Sequence, residues 1–211
     1  MNNVKLLLAL GAALLASGLQ ASVITTVELA NVWTTQQTGM TEVDFNNGTT
    51  AGYDSVTGAY SLFNSPSGTN QSASPYGIDS TFISVPNPSR SGTATFTLDA
   101  SYDYFGMFWG SVDSYNSIDF YDGNSLVASF DGDDISELMA DGGQQSWESN
   151  RYVNFFFDGE VYDSFDLTST NYAFETDNHA FGNIAMVSEP GSLALLILGL
   201  GGLGFLRRKK A

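Results

Sequence analysis

The chain has 211 residues, no cysteine, 23 acidic against seven basic residues, and a formal net charge of −16. That balance excludes nucleic acid and anionic lipid as partners of the acidic part, and the lack of cysteine excludes disulfide stapling and a thiolate zinc centre. With 22 Gly, 15 Phe, 10 Tyr and only 14% charged residues, the composition suits strands and turns.

Residues 1–21 read as a secretory signal peptide. Lys5 precedes an uncharged run from Leu6 to Leu15, and small residues lead to cleavage between Ala21 and Ser22. The exported part, 22–187, is long enough for one domain with its own core. From Ser22 to Ser188 only Arg90 and Arg151 stand against 22 acids, a charge of −20.

Period-two alternation and turn residues recur through this part. "SVITTVELANVW" predicts a first strand, and "TEVDFNNGT" a short one closed by Asn46-Asn47-Gly48. "AYSLFN" and "GIDSTFISVP" follow, the latter stopped by prolines. "TATFTLD" places Ala94, Phe96 and Leu98 on one face and threonines on the other. "IDFYDGNSLVASF" and "VNFFFDGEVYDSFDL" predict hairpins turning at Asp122-Gly123 and Asp158-Gly159, because both positions of an Asp-Gly turn tolerate positive φ. One short helix is expected, capped by Asp134 with Glu137 three residues on and ended by Gly142-Gly143. About ten strands without a βαβ rhythm predict an all-β fold, an antiparallel, jelly-roll-like β-sandwich.

The last 24 residues, 188–211, form a separate unit. Ser188-Glu189-Pro190 leads into an apolar span over 191–206 and then the cations Arg207, Arg208, Lys209 and Lys210. Cations behind an apolar helix hold that end in the cytoplasm, which leaves the acidic domain outside. The 16-residue span is shorter than the roughly 20 residues of a comfortable transmembrane helix. Snorkelling Arg and Lys side chains extend its reach. This order resembles the PEP-CTERM sorting signal of Gram-negative bacteria, with Ser188 where the usual first proline stands. The resemblance implies recognition by an exosortase, a membrane-embedded cysteine transpeptidase, and transient membrane anchoring before processing. The block "YFGMFWGSVDSYNSIDFYDGNSLVASFDGDDI" and the later "FETDNHAFGNIAM" resemble a family of exosortase-dependent surface proteins. That resemblance implies a place at the cell surface or in the exopolysaccharide matrix.

Few residues point to chemistry. His179 is the only histidine, and no nucleophile-elbow motif accompanies it. Glu148, Glu160 and Glu175 are nominal carboxylates for a glycoside-active enzyme. "DGDD" at 131–134 fails the EF-hand pattern, since Ser136 stands at the glycine position. Asp44, Asp177 and Asn178 offer hard oxygens for calcium if the first and last strands pair. Trp109, Asp113, Tyr115 and Asn116 form a candidate sugar-stacking patch. The sequence therefore predicts a non-enzymatic structural protein, exported and processed by exosortase, with exopolysaccharide as its candidate partner. A calcium-assisted carbohydrate-binding module and a glycoside-active enzyme are the alternatives.

Overall fold

The computed structural model describes residues 22–184 apart from 66, 67, 70 and 136. The signal peptide (1–21), the sorting tail (188–211) and the transmembrane helix expected over 191–206 lie outside the described residues. No helix among the described residues is long and apolar enough to cross a membrane.

The described chain forms fourteen strands: β1 (Ser22–Val27), β2 (Thr41–Val43), β3 (Ser55–Gly58), β4 (Ser61–Asn64), β5 (Gly68–Thr69), β6 (Ser72–Ala73), β7 (Thr81–Val85), β8 (Gly92–Tyr102), β9 (Tyr104–Gly110), β10 (Asn116–Asp122), β11 (Ser125–Asp131), β12 (Arg151–Asp158), β13 (Tyr162–Ser169) and β14 (Phe174–Gly182). One sheet runs β1-β12-β9-β14-β7-β4, with β2 also on β14. The facing sheet runs β11-β10-β13-β8-β3, and β5 and β6 form a small ribbon. Every pairing in the two large sheets is antiparallel. From β7 onward every connection crosses between the sheets except the β10–β11 hairpin, in the orders β7-β14-β9-β12 and β8-β13-β10-β11. Two interleaved Greek keys of this kind make a double-sheet jelly roll.

The alternation read from the sequence places the core. Ala94, Phe96 and Leu98 of β8 are buried and meet Phe165 and Leu167 of β13 across the ladder. Phe96 stacks on Phe165 with centroids 4.6 Å apart, and Phe105 of β9 closes on Phe165 at 4.5 Å from the other sheet. Strand β9 is buried along its whole length. Its odd residues, Phe105, Met107 and Trp109, face the main core, while Phe108 joins Ile78 and Tyr152 in a second cluster under Trp147. The larger sheet is thus covered on both faces, and β9 reads as a continuous apolar run rather than an alternation.

Two expectations are corrected. The described residues of 135–143 form no helix. A 3-10 turn at Gly132–Asp134 is capped by Asp131, whose side chain accepts from the Asp133 and Asp134 amides while Asp134 reaches back to the Asp131 amide. The capping box exists, three residues earlier than read. Ile135 then turns to an extended conformation and buries its side chain, which ends the turn. The second correction concerns Asp158-Gly159. The chain reverses there, with Gly159 at φ +81°, yet no hairpin forms. Strand β12 pairs with β1 and β9, and β13 with β10 and β8. The turn carries the chain from one sheet to the other, because turn chemistry sets a reversal and not the partner of the next strand. At Asp122-Gly123 the hairpin does form, with Asp122 opposite Ser125 and Gly123 at φ +58°.

Candidate functional site

Connections β9–β10, β11–β12 and β13–β14 meet at one end of the sandwich and, with β6 and the start of β14, enclose a cleft of about 530 Å³. Its carboxyl groups come from three of these segments: Asp113, Asp141 and Glu175. Tyr115 and Tyr172 line its wall, and Ser111 lies between them and the strand ends.

The loops around the cleft are held by buried amides. Asn150 is fully buried and uses all four of its hydrogen-bonding positions. Its Oδ1 accepts from the Ser111 amide (2.8 Å) and the Tyr76 amide (3.0 Å), and its Nδ2 donates to the carbonyls of Gly143 (2.6 Å) and Ser146 (2.9 Å). Asn116, also fully buried, donates to the Ala173 carbonyl (3.3 Å) and accepts from the Ser169 hydroxyl (2.7 Å). Gly142 adopts φ +70°, and a Cβ there would lie 2.6 Å from Asp113 Oδ1. The expected helix terminator is therefore a close-approach residue of the cleft.

The three carboxyls differ in environment. Asp141 sits at the rim, where the Ser149 hydroxyl (2.7 Å) and the Gly143 amide (3.0 Å) hold its carboxyl below the usual carboxylate range. Burial, and then the charge of Asp141, push Asp113 up. Glu175 is 3% exposed, and burial raises its carboxyl to about 8 even though the Ala73 amide donates to it at 2.9 Å. From rim to depth the cleft passes from an ionised to a protonated carboxyl at neutral pH.

Of the sequence-predicted patch, Asp113 and Tyr115 reach this cleft. Trp109 is fully buried and stacks on Phe174 at 4.6 Å, so its ring belongs to the core. Asn116 is the strut described above. Asn150 and Asp141 carried no local signal, since only the fold brings their connection against the one that holds Asp113. Glu175 was one of the three nominal carboxylates, and of those three it alone lines the cleft.

Strand β2 does pair with β14, Val43 opposite His179, which sets Asp44 near Asn178. A bulge between Asp177 and Ala180 accompanies the positive φ of Asn178, +51°. Asp177 is buried, accepts from the Ser80 hydroxyl (2.9 Å) and the Asn178 amide (2.7 Å), and is raised to about 7 by burial, with Asp44 adding to the rise. Asn178 donates to the Trp33 carbonyl (3.0 Å), and Asp44 accepts from the Asn46 amide (3.1 Å). Among the described residues no three His, Cys, Asp or Glu side chains converge as a metal site. His179 is fully buried between Tyr53, 2.6 Å from Nδ1, and Thr176 at Nε2, and burial lowers it to about 3. Ser22 opens β1; Ala21 and the sorting residues 188–190 and 207–210 lie outside the described residues.

Comparison with known proteins fixes the tail. The PEP-CTERM protein-sorting motif matches residues 187–210. The chain therefore carries a sorting signal of that class, which implies exosortase-dependent sorting to the cell surface. Comparison with curated proteins yields no match. Among solved structures, the Agl-KA catalytic domain is 15% identical over 77% of this chain, with a TM-score of 0.40. This chain spans 31% of that protein's length. CpGH89CBM32-6 produced by Clostridium perfringens is 10% identical over 61% of this chain and 93% of its own, with a TM-score of 0.30. The K2 cleaved adhesin domain of Lys-gingipain is 9% identical over 76% and 99%, with a TM-score of 0.28.

Proposed function

We propose that this protein is exported, processed by an exosortase, and retained at the cell surface or in the exopolysaccharide matrix, where its sandwich serves as a structural module without catalytic activity. The sorting motif at 187–210 carries the reading. An ectodomain charge of −20 on the far side of a cationic tail agrees with it. Two observations support the non-catalytic part. His179 is buried, neutral and held between two hydroxyls, so it has no route to a substrate. Glu160 follows β12 at the opposite end of the sandwich from Glu175, which separates two of the three nominal acids. The test compares the full chain with Pro190→Ala and with a chain ending at 187. The full chain should fractionate with the cell surface and the two variants should not. Equal distribution of all three contradicts the reading, as does reducing-sugar release from surface polysaccharide by the purified protein.

A calcium-assisted version is the second reading, favoured by the β2–β14 pairing that sets Asp44 near Asn178. The ion would need Asp44, Asp177, Asn178 and backbone oxygens together. Melting in millimolar calcium against matched sodium chloride decides it, because screening needs no site. Identical curves remove calcium.

A further inference from the structure

Ser111 lines the cleft, and its hydroxyl is buried in the wall with no hydrogen-bond partner among the described residues. A buried hydroxyl left in this state is uncompensated for its lost hydration. Its backbone is fixed, because the Ser111 amide donates to the fully buried Asn150. The unsatisfied group therefore sits in the cleft wall on a rigid support.

We propose that this cleft binds a neutral sugar, one or a few units of an uncharged polysaccharide. The inference stands independently of how the chain is sorted. The cleft volume of about 530 Å³ falls within the roughly 300–1,000 Å³ of small-molecule sites. Its polar groups suit a ligand made of hydroxyls, which donate and accept at once. Asp113 and Asp141 accept. Glu175 in its protonated form does both. No Lys or Arg lines the cleft, so an anionic ligand would meet acid without compensation. The rings of Tyr115 and Tyr172 are anchored through their hydroxyls, to the Tyr172 carbonyl (3.0 Å) and the Pro88 carbonyl (2.8 Å). Both side chains line the cleft, whose wall is otherwise mostly polar.

Full-length protein titrated with glucose, galactose, mannose and their neutral oligomers, followed by calorimetry, tests this. Glucosamine and glucuronate serve as the ammonium and anionic counterparts. At least one neutral probe should bind, with Asp113→Ala and Glu175→Leu each weakening it about five- to tenfold, the equivalent of a net hydrogen bond. EDTA should change nothing. If Glu175→Leu fails to fold, Asp113→Ala carries the test together with Gln144→Ala, Gln144 being a further residue that lines the cleft. The proposal is overturned if no neutral probe binds at millimolar concentration, if these variants bind as tightly as the parent, or if glucosamine or glucuronate binds more tightly than its neutral counterpart.

Discussion

The two ends of the sandwich are built from the same strands and differ in what joins them. At one end, Gly123 and Asn124 close β10–β11 within two residues, only Asp103 separates β8 from β9, and three residues separate β12 from β13. At the other, the β9–β10, β11–β12 and β13–β14 connections gather Asp113, Asp141, Tyr172 and the buried amides that hold them. The tight end spends its polar groups on turning the chain. The open end has more than turning requires, and the surplus encloses a cleft with a buried, unsatisfied hydroxyl in its wall and, at depth, a carboxyl that burial raises. Both ends hang on one core, so damage to the core should harm both, and changes at either end should separate them.

The largest expected effect is on the shared core. Trp109→Ala removes a fully buried ring stacked on Phe174 and should cost about 3–5 kcal/mol. Chemical denaturation measures it.

Acidity should act next, and at the open end above all. Glu175 is raised to about 8 from 4.5, and Asp177 to about 7 from 3.8. Both bind more protons folded than unfolded, so their contribution is present in acid and is lost as pH rises through those folded values. His179 is lowered to about 3 from 6.5 and works in the opposite sense, losing stability as pH falls below 6.5. Together they place maximal stability near pH 4 to 5 and a fall of a few kcal/mol by pH 8. Glu175→Gln should flatten much of that fall. Thermal melts of parent and variant across this range show whether it does.

Two glycines then compare the ends directly. Gly142→Ala and Gly123→Ala both place a side chain at positive φ, +70° and +58°. Each should cost about 1 kcal/mol for that reason. Only at Gly142 would the new Cβ meet another group, Asp113 Oδ1 at 2.6 Å, whereas at Gly123 nothing lies within 4 Å. The Gly142 variant should be the less stable and should alone disturb the cleft. The smallest effect belongs to the tight end. Asn124 is exposed at the hairpin tip, and Asn124→Ala should change stability by less than about 0.5 kcal/mol.

Much of the fold was legible because it is local. Alternation in β8 located a buried face, and Asp122-Gly123 located a hairpin. The failures were non-local. Nothing near Asp158-Gly159 says that both edges of β12 are already taken by β1 and β9. Asp134 and Glu137 have capping-box spacing, but Asp131 and Asp134 have a better one, and burial of Ile135 decides between them. The site divides in the same way. Asp113 and Tyr115 are two residues apart and were read together, whereas Ser111, Asp141, Gly142 and Asn150 come from two connections, separated by 30 residues from Ser111 to Asp141. Trp109 and Asn116 misled because an aromatic or amide beside a candidate patch has the same local pattern whether it faces the cleft or supports it.

The central claim is that this sandwich reaches the surface through its tail. Its most direct test is the intact mass of the protein extracted from the surface of cells that carry an exosortase, beside cells that lack one. Processing predicts a chain beginning at Ser22 and ending near Glu189-Pro190 in the first, and a chain retaining Arg207–Lys210 in the second. The same tail-bearing mass from both would contradict it.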